Sequence, residues 1–240
     1  MDSSARLSQT RDNNPNSNAG NFHTDQGRPE DKEEALRQEL IDKEKVLGTS
    51  HKSTIDTLYG LGSFYEKQGR LSEAEDMYQR ALAGYNKTLS QNHLTVLKSK
   101  NNLGRVYHNQ GKLSQAEEFL KQALSGKTMI LGLAHISTLR TLNNLGSLFH
   151  DQGNLAEAEK TLKQALVGKA RLLGPDHLST LRAKNDLLRL YRDQGRMEEA
   201  RDISQPALNI PGAEDRDRAS NTGMNWDDAE FMQQQTIDTN

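Results

Sequence analysis

The stretch 93–126 reads HLTVLKSKNNLGRVYHNQGKLSQAEEFLKQALSG, and 135–168 reads HISTLRTLNNLGSLFHDQGNLAEAEKTLKQALVG. They are one design written twice, 42 residues apart. Working outward, Gly69, Gly111, Gly153 and Gly195 keep the same step, each preceded by Gln. So do His51, His93, His135 and His177, the alanines Ala74, Ala116, Ala158 and Ala200, and the aromatics Tyr65, Tyr107, Phe149 and Tyr191. Leu82, Leu124, Leu166 and Leu208 close the units. Unrelated positions holding one register through four copies mark a stacked repeat array.

Each unit reads as two helices. In the third copy, Leu139, Leu142, Leu145, Gly146, Leu148 and Phe149 recur at three- and four-residue steps, the spacing of one helical face. The Gln-Gly pair is expected to end this first helix, A, because glycine takes positive φ cheaply just past a helix. The Ser or Thr two residues after each repeat histidine (Ser53, Thr95, Ser137, Ser179) is the expected N-cap of helix A. Ser72 with Glu75, and Ser114 with Glu117, have the spacing of a capping box opening helix B. Residues 31–47 align with a helix B that lacks its first helix and are expected to cap the array.

The recurring residues resemble those of the tetratricopeptide repeat: in copy two, Leu103, Gly104, Tyr107, Ala116 and Ala123. The 42-residue period exceeds that family's usual period of about 34. Together with Leu-Gly-x-x-His-x-x-Thr and Asn-Asn-Leu-Gly, it is similar to the kinesin light chain subclass; comparable arrays occur in nucleotide-binding receptor proteins, particularly fungal ones. The resemblance implies an all-α fold, a right-handed α-solenoid of antiparallel helix pairs. Its expected extent is 31–210: a capping helix at 31–47, then four repeats beginning near 47, 89, 131 and 173. Copy four departs from the pattern, with Leu188 where the others have Gly62, Gly104 and Gly146, and with Pro206 inside its helix B, so the array is expected to end there. The coiled coil that precedes the repeats in kinesin light chains is not found, so motor association is not implied.

Composition sets the outer bounds. Hydrophobic residues are 33% and charged residues 27%, too polar for one core spanning all 240 residues. Residues 1–30, rich in Asn, Ser, Asp and Gly, are expected to be disordered. A net charge of -2 supplies no general pull toward nucleic acid or membranes, and neither is expected as a partner. The chain has no cysteine, which removes disulfides and thiolate chemistry and fits a reducing compartment; the cytoplasm is expected. No secretory leader or membrane-spanning run is read in it.

No phosphate loop, zinc helix, nucleophile elbow or calcium loop occurs, so an enzyme, a cofactor and a metal are not expected. The four repeat histidines stand one repeat apart, too far to share an ion, and are expected to act as local caps or packing partners.

The resemblance implies that helix A lines a concave face where peptides bind. At roughly 100° per residue, Lys98, Asn101, Arg105 and His108 fall within about 80° of one another on copy two. Arg140, Asn143, Ser147 and His150 match them on copy three, and Arg182, Asn185, Arg189 and Arg192 on copy four. Stacking predicts an Asn ladder (Asn101, Asn143, Asn185) flanked by cations: Asn suits a peptide backbone, and Arg suits carboxylates. Copy one presents Asp56, Tyr59, Ser63 and Glu66 instead, so the groove should be basic over copies two to four only. An acidic protein or peptide is the expected partner; the oligomeric state is not read. The alternative is an architectural or sensor segment of a larger receptor-type assembly, working through array edges or its convex surface.

Residues 211–240 form an acidic tail, and 219–240 carry Asp227, Asp228, Glu230 and Asp238 with no Lys or Arg. Met224, Trp226, Asp227 and Asp228 resemble the tryptophan-acidic cargo motif that kinesin light chain repeats bind, which would make the tail a self-ligand. A capping helix over 225–237 and a disordered tail are the other two readings.

Overall fold

The computed structural model describes residues 28–204, and the expectations for 1–27 and for 205–240, including Pro206, Leu208 and the tail motif, lie outside them. Among the described residues there are nine helices: α1 Pro29–Leu47, α2 Lys52–Lys67, α3 Leu71–Thr88, α4 Leu94–Asn109, α5 Leu113–Leu131, α6 Ile136–Asp151, α7 Leu155–Leu173, α8 Leu178–Asp193 and α9 Met197–Ser204. The fold is the all-α repeat solenoid predicted. Helices α2, α4, α6 and α8 are the A helices, each packed on the B helix that follows it and on the B helix before it. Helix α1 opens at Pro29, two residues ahead of the predicted start, with Pro in the first turn where its missing N–H costs nothing.

The Gln-Gly pair ends every A helix as predicted. In copy two Gly111 sits at φ 75°, its N–H bonding the His108 carbonyl at 2.9 Å while the Lys112 N–H reaches the Tyr107 carbonyl at 2.9 Å. These paired bonds satisfy carbonyls the helix would otherwise leave open.

The N-terminal caps need correcting. The cap is the histidine itself, extended at φ -63° and ψ 138° for His93. Nδ1 of His51, His93, His135 and His177 accepts from the N–H of Ser53, Thr95, Ser137 and Ser179 at 3.1–3.2 Å. Each A helix begins one residue after its histidine, so the Ser or Thr is already helical and gives its N–H, not its hydroxyl. The imidazole does the work of an Asn side chain.

The capping boxes also fail. Helices α3 and α5 begin at Leu71 and Leu113, which puts Ser72 and Ser114 inside the first turn, with no side-chain cap at either start. Glu75 and Glu117 point across to the next repeat instead. Glu75 accepts from Gln110 at 2.9 Å and Lys112 at 2.7 Å, and Glu117 from Gln152 at 2.8 Å. Glu33 and Glu159 hold Arg70 and Arg196 in the same way, each at 2.5 Å, and each also bonds a tyrosine hydroxyl, Tyr65 or Tyr191.

Small residues set the packing distance. Ala74, Ala116 and Ala158 have no exposed surface, nor do Ala81, Ala123 and Ala165. A Cβ added to Gly104 would stand 2.7 Å from Leu120 Cγ and 3.2 Å from its backbone nitrogen, so the close A–B approach needs glycine there. Copy four exchanges the partners: Leu188 is buried where the others have glycine, and Ser204 occupies the facing register of Tyr78, Leu120 and Leu162. At the other end, α1 carries Lys32 and Glu39 where later copies have the buried alanines.

Candidate functional site

The A helices lie side by side, and their polar rows meet at an offset of one period plus one residue. Asn102 bonds the Tyr59 hydroxyl at 2.7 Å, and Asn144 bonds Asn101 Oδ1 at 3.1 Å. Asn143 bonds Asp186 Oδ2 at 2.6 Å, and the ring Nε2 atoms of His108 and His150 meet Asp151 and Asp193 at 2.7 and 3.1 Å. Five ties at this one offset, in two registers, join each A helix to the next.

These ties decide which of the expected groove residues remain available. Asn101 and Asn143 are buried, each bonded to a neighbouring repeat, while Asn185 on the last A helix is exposed. Arg105 grips Glu66 with two bonds, at 2.5 and 2.7 Å. Burial disfavours the Arg105 cation, yet the carboxylate outweighs burial and holds its pKa above the usual arginine value. Its charge is cancelled within the fold. Lys98 and Arg140 are half-buried, and Arg182 and Arg192 are exposed. Arg189 is exposed and leans on Asp151 at 3.3 Å. Met224, Trp226, Asp227 and Asp228 lie outside the described residues.

Copy one is closed in a different way. Tyr85 donates to Asp56 at 2.6 Å, Tyr78 donates to Glu66 at 3.1 Å, and Tyr59 packs on Tyr78 with ring centroids 5.4 Å apart. Burial pushes all three phenols above the usual tyrosine range, so they stay neutral donors. Of the expected groove cations, the exposed ones, Arg182, Arg189 and Arg192, therefore gather on copy four.

One residue of this region went unread in the sequence because it sits on a B helix. Lys169 of α7 is 3% exposed and donates to Asn143 Oδ1 at 3.2 Å. Burial lowers its pKa to about 8; Asp186 favours its charge, while Arg140 and Arg182 oppose it. The signal was available: positions 43, 85, 127 and 169 share one repeat register, and three of them are lysine. Away from this region, Leu40, Ile41, Leu61 and Met77 line a cleft between α1 and α3 whose rim carries both signs of charge, Arg37 and Arg80 with Glu73 and Asp76. Among the described residues no helix is long and apolar enough to cross a membrane.

Comparison with known proteins agrees with this architecture. A family model described as Tetratricopeptide repeat matches residues 12–87, 53–129, 95–168 and 137–211. The crystal structure of nearly identical TPR-like repeats, described as a kinesin light chain of Podosopora anserina, covers 74% of this chain and 84% of its own. Its identity is 28% and its TM-score 0.62; a variant of it gives 0.63. The crystal structure of BtubC (BKLC) from P. vanneervenii covers 87% of this chain and 80% of its own, at 19% identity and a TM-score of 0.62, a likeness of fold alone. A search of curated protein sequences gives no match.

Proposed function

Because the chain belongs to the tetratricopeptide repeat family, we propose that it is a non-catalytic interaction scaffold that takes extended acidic peptides on its concave A-helix face, chiefly across copies three and four. One observation carries the reading: the exposed side chains of α8, Arg182, Asn185, Arg189 and Arg192, form a basic row on the same face where Arg105 is already neutralised by Glu66. Arginine forks suit carboxylates, and the exposed Asn185 amide suits a peptide backbone. The tied rows beneath, Asn101 to Asn144 and Asn143 to Asp186, give that face a fixed shape. The cytoplasm remains the proposed compartment.

Micromolar affinity, about -8 kcal/mol, is the ordinary scale for such a contact. The natural first ligand is the chain's own 219–240 segment, with Met224, Trp226, Asp227 and Asp228 as its contact residues. The test uses full-length chain carrying Trp226→Ala, Asp227→Asn and Asp228→Asn, so its own tail does not compete. A dye-labelled 219–240 peptide is added and followed by fluorescence anisotropy. Binding that weakens with salt and falls at least tenfold on Arg182→Glu is the expected outcome. Binding indifferent to salt and to Arg182→Glu would overturn the assignment.

A further inference from the structure

Helix α1 is a B helix whose own A-helix face is open. Lys32, Leu36 and Glu39 stand in the registers of Ala74, Tyr78 and Ala81, which have no exposed surface. Among the described residues Leu36 is only part-buried, and Lys32 and Glu39 are exposed.

The chain just ahead of α1 carries a matching text. Residues 18–27 read NAGNFHTDQG, in the register of GLGSFYEKQG at 60–69 and NLGSLFHDQG at 144–153. Asn18, Gly20, Asp25, Gln26 and Gly27 repeat Asn144, Gly146, Asp151, Gln152 and Gly153, and Phe22 repeats Phe64. Gly27 adjoins Arg28, the residue that precedes α1, as Gly69 adjoins Arg70 ahead of α3.

A rule of exchange governs the A–B contact in the described copies. Gly62 faces Tyr78, Gly104 faces Leu120 and Gly146 faces Leu162, each so closely that an added Cβ would stand 2.7 Å from the facing side chain. Copy four reverses the sizes, with Leu188 and Ser204 in those registers. The same spacing pairs Gly20 with Leu36, the combination of copies two and three.

What is lost is lost on both sides. In the other half of each A–B contact, Gly84, Gly126 and Gly168 seat Ile55, Leu97 and Leu139. Those registers hold Asp42 on α1 and Asn13 in the chain before it, and Pro15 stands in the register of Thr57. Antiparallel packing sets the start of an A helix against the end of its B helix, so the missing seat and the missing plug belong to one half. Gly20 and Leu36 belong to the other, and both are kept.

We propose that residues 18–27 are the closing half of a further A helix and dock on the N-terminal half of α1, with Gly20 over Leu36. The ligand of this open face is the chain's own segment, which closes that end of the array. A helix so short is not stable alone, but it joins α1 through Arg28 with no intervening linker, so docking costs little chain entropy. Lys32, the one departure in this half, carries its ammonium to water on a long stem. The proposal does not depend on peptide binding.

The test is amide hydrogen exchange of the full-length chain, read by mass spectrometry on fragments of α1 and α8. Gly20→Leu is expected to speed exchange over 29–40 at least fivefold, because the new side chain meets Leu36. Leu36→Ser is expected to do the same. The double variant, which writes the Leu–Ser pair of copy four into this register, is expected to return to within twofold of the unaltered chain. Exchange in α8 is expected to stay constant, which shows that each variant is folded. Effects of the two substitutions that add instead of cancelling overturn the proposal, as does a Gly20→Leu chain whose α1 exchange is unchanged. Protection of α1 that fades on dilution would put a second copy on this face and overturn docking by the chain's own segment.

Discussion

The junction between copies one and two and the junction between copies three and four use nearly the same backbone for different ends. In the first, the carboxylates of the A face are answered from within, Glu66 by Arg105 and Tyr78 and Asp56 by Tyr85, while the Asn102 amide bonds Tyr59. In the second, Thr141 becomes Ala183, His150 stands where copy one has Glu66, Arg182 and Arg192 stand exposed, and the buried Lys169 gives one hydrogen bond among the described residues, to Asn143. On the proposed function, the array assigns rigidity to one end and recognition to the other with a handful of side chains.

The sharpest way to break this contrast is Arg105→Ala. It leaves the Glu66 carboxylate, 9% exposed, with the Tyr78 hydroxyl for company. Unfolding should cost about 2–4 kcal/mol less, measured by urea titration, while peptide affinity of the folded protein is unchanged.

At the other junction the sign reverses. Lys169→Met should stabilise the chain by about 1–3 kcal/mol at pH 7, because burial of the charge costs more than its one bond returns. The folded pKa of about 8 lies below the unfolded value of about 10.4, so in that window the unfolded chain holds more protons. Wild-type stability therefore rises with pH between the two values, and the gap between it and Lys169→Met should narrow by pH 10. A gap constant with pH would mean that the ammonium is not desolvated.

Next in size is Glu159→Gln. Arg196, with Lys163 and Tyr191, holds the Glu159 carboxyl at about 2. That stability is present above the unfolded pKa of about 4.3 and lost as pH falls toward 2. The substitution should cost about 1–2 kcal/mol at pH 7 and nothing near pH 2, read from melts across the acid range. In copy three Asn154 stands where Lys112 and Arg196 stand in their copies, so Glu117→Gln should cost less.

The smallest effect belongs to the caps. His177→Ala should cost about 1 kcal/mol, and His177→Asn should recover it, since the backbone needs an acceptor at that position and not an imidazole.

The sequence carried the period, the helix pairs, the Gln-Gly stops and the helix α1 ahead of the first pair. Repetition makes these visible because each copy checks the others. It was less able to show partners. The ties Asn101–Asn144, Asn143–Asp186 and His108–Asp151 link residues one period plus one apart, so aligning the copies position by position hides them. The same blindness turned Glu75 and Glu117 into local capping residues, when they bond the following repeat. Lys169 was missed because the groove was read from A helices alone, although Ala183 in place of a hydroxyl residue marked the copy where its register changes.

The central claim is that recognition is confined to copies three and four. Amide NMR of isotope-labelled full-length chain with the tail substitutions, titrated with unlabelled 219–240 peptide, tests it most directly. The account expects shift changes to gather on α6 and α8 around Arg140, Arg182 and Asn185, with α2 and α3 silent. Changes centred on α2 and α4, or in the cleft between α1 and α3, would contradict it.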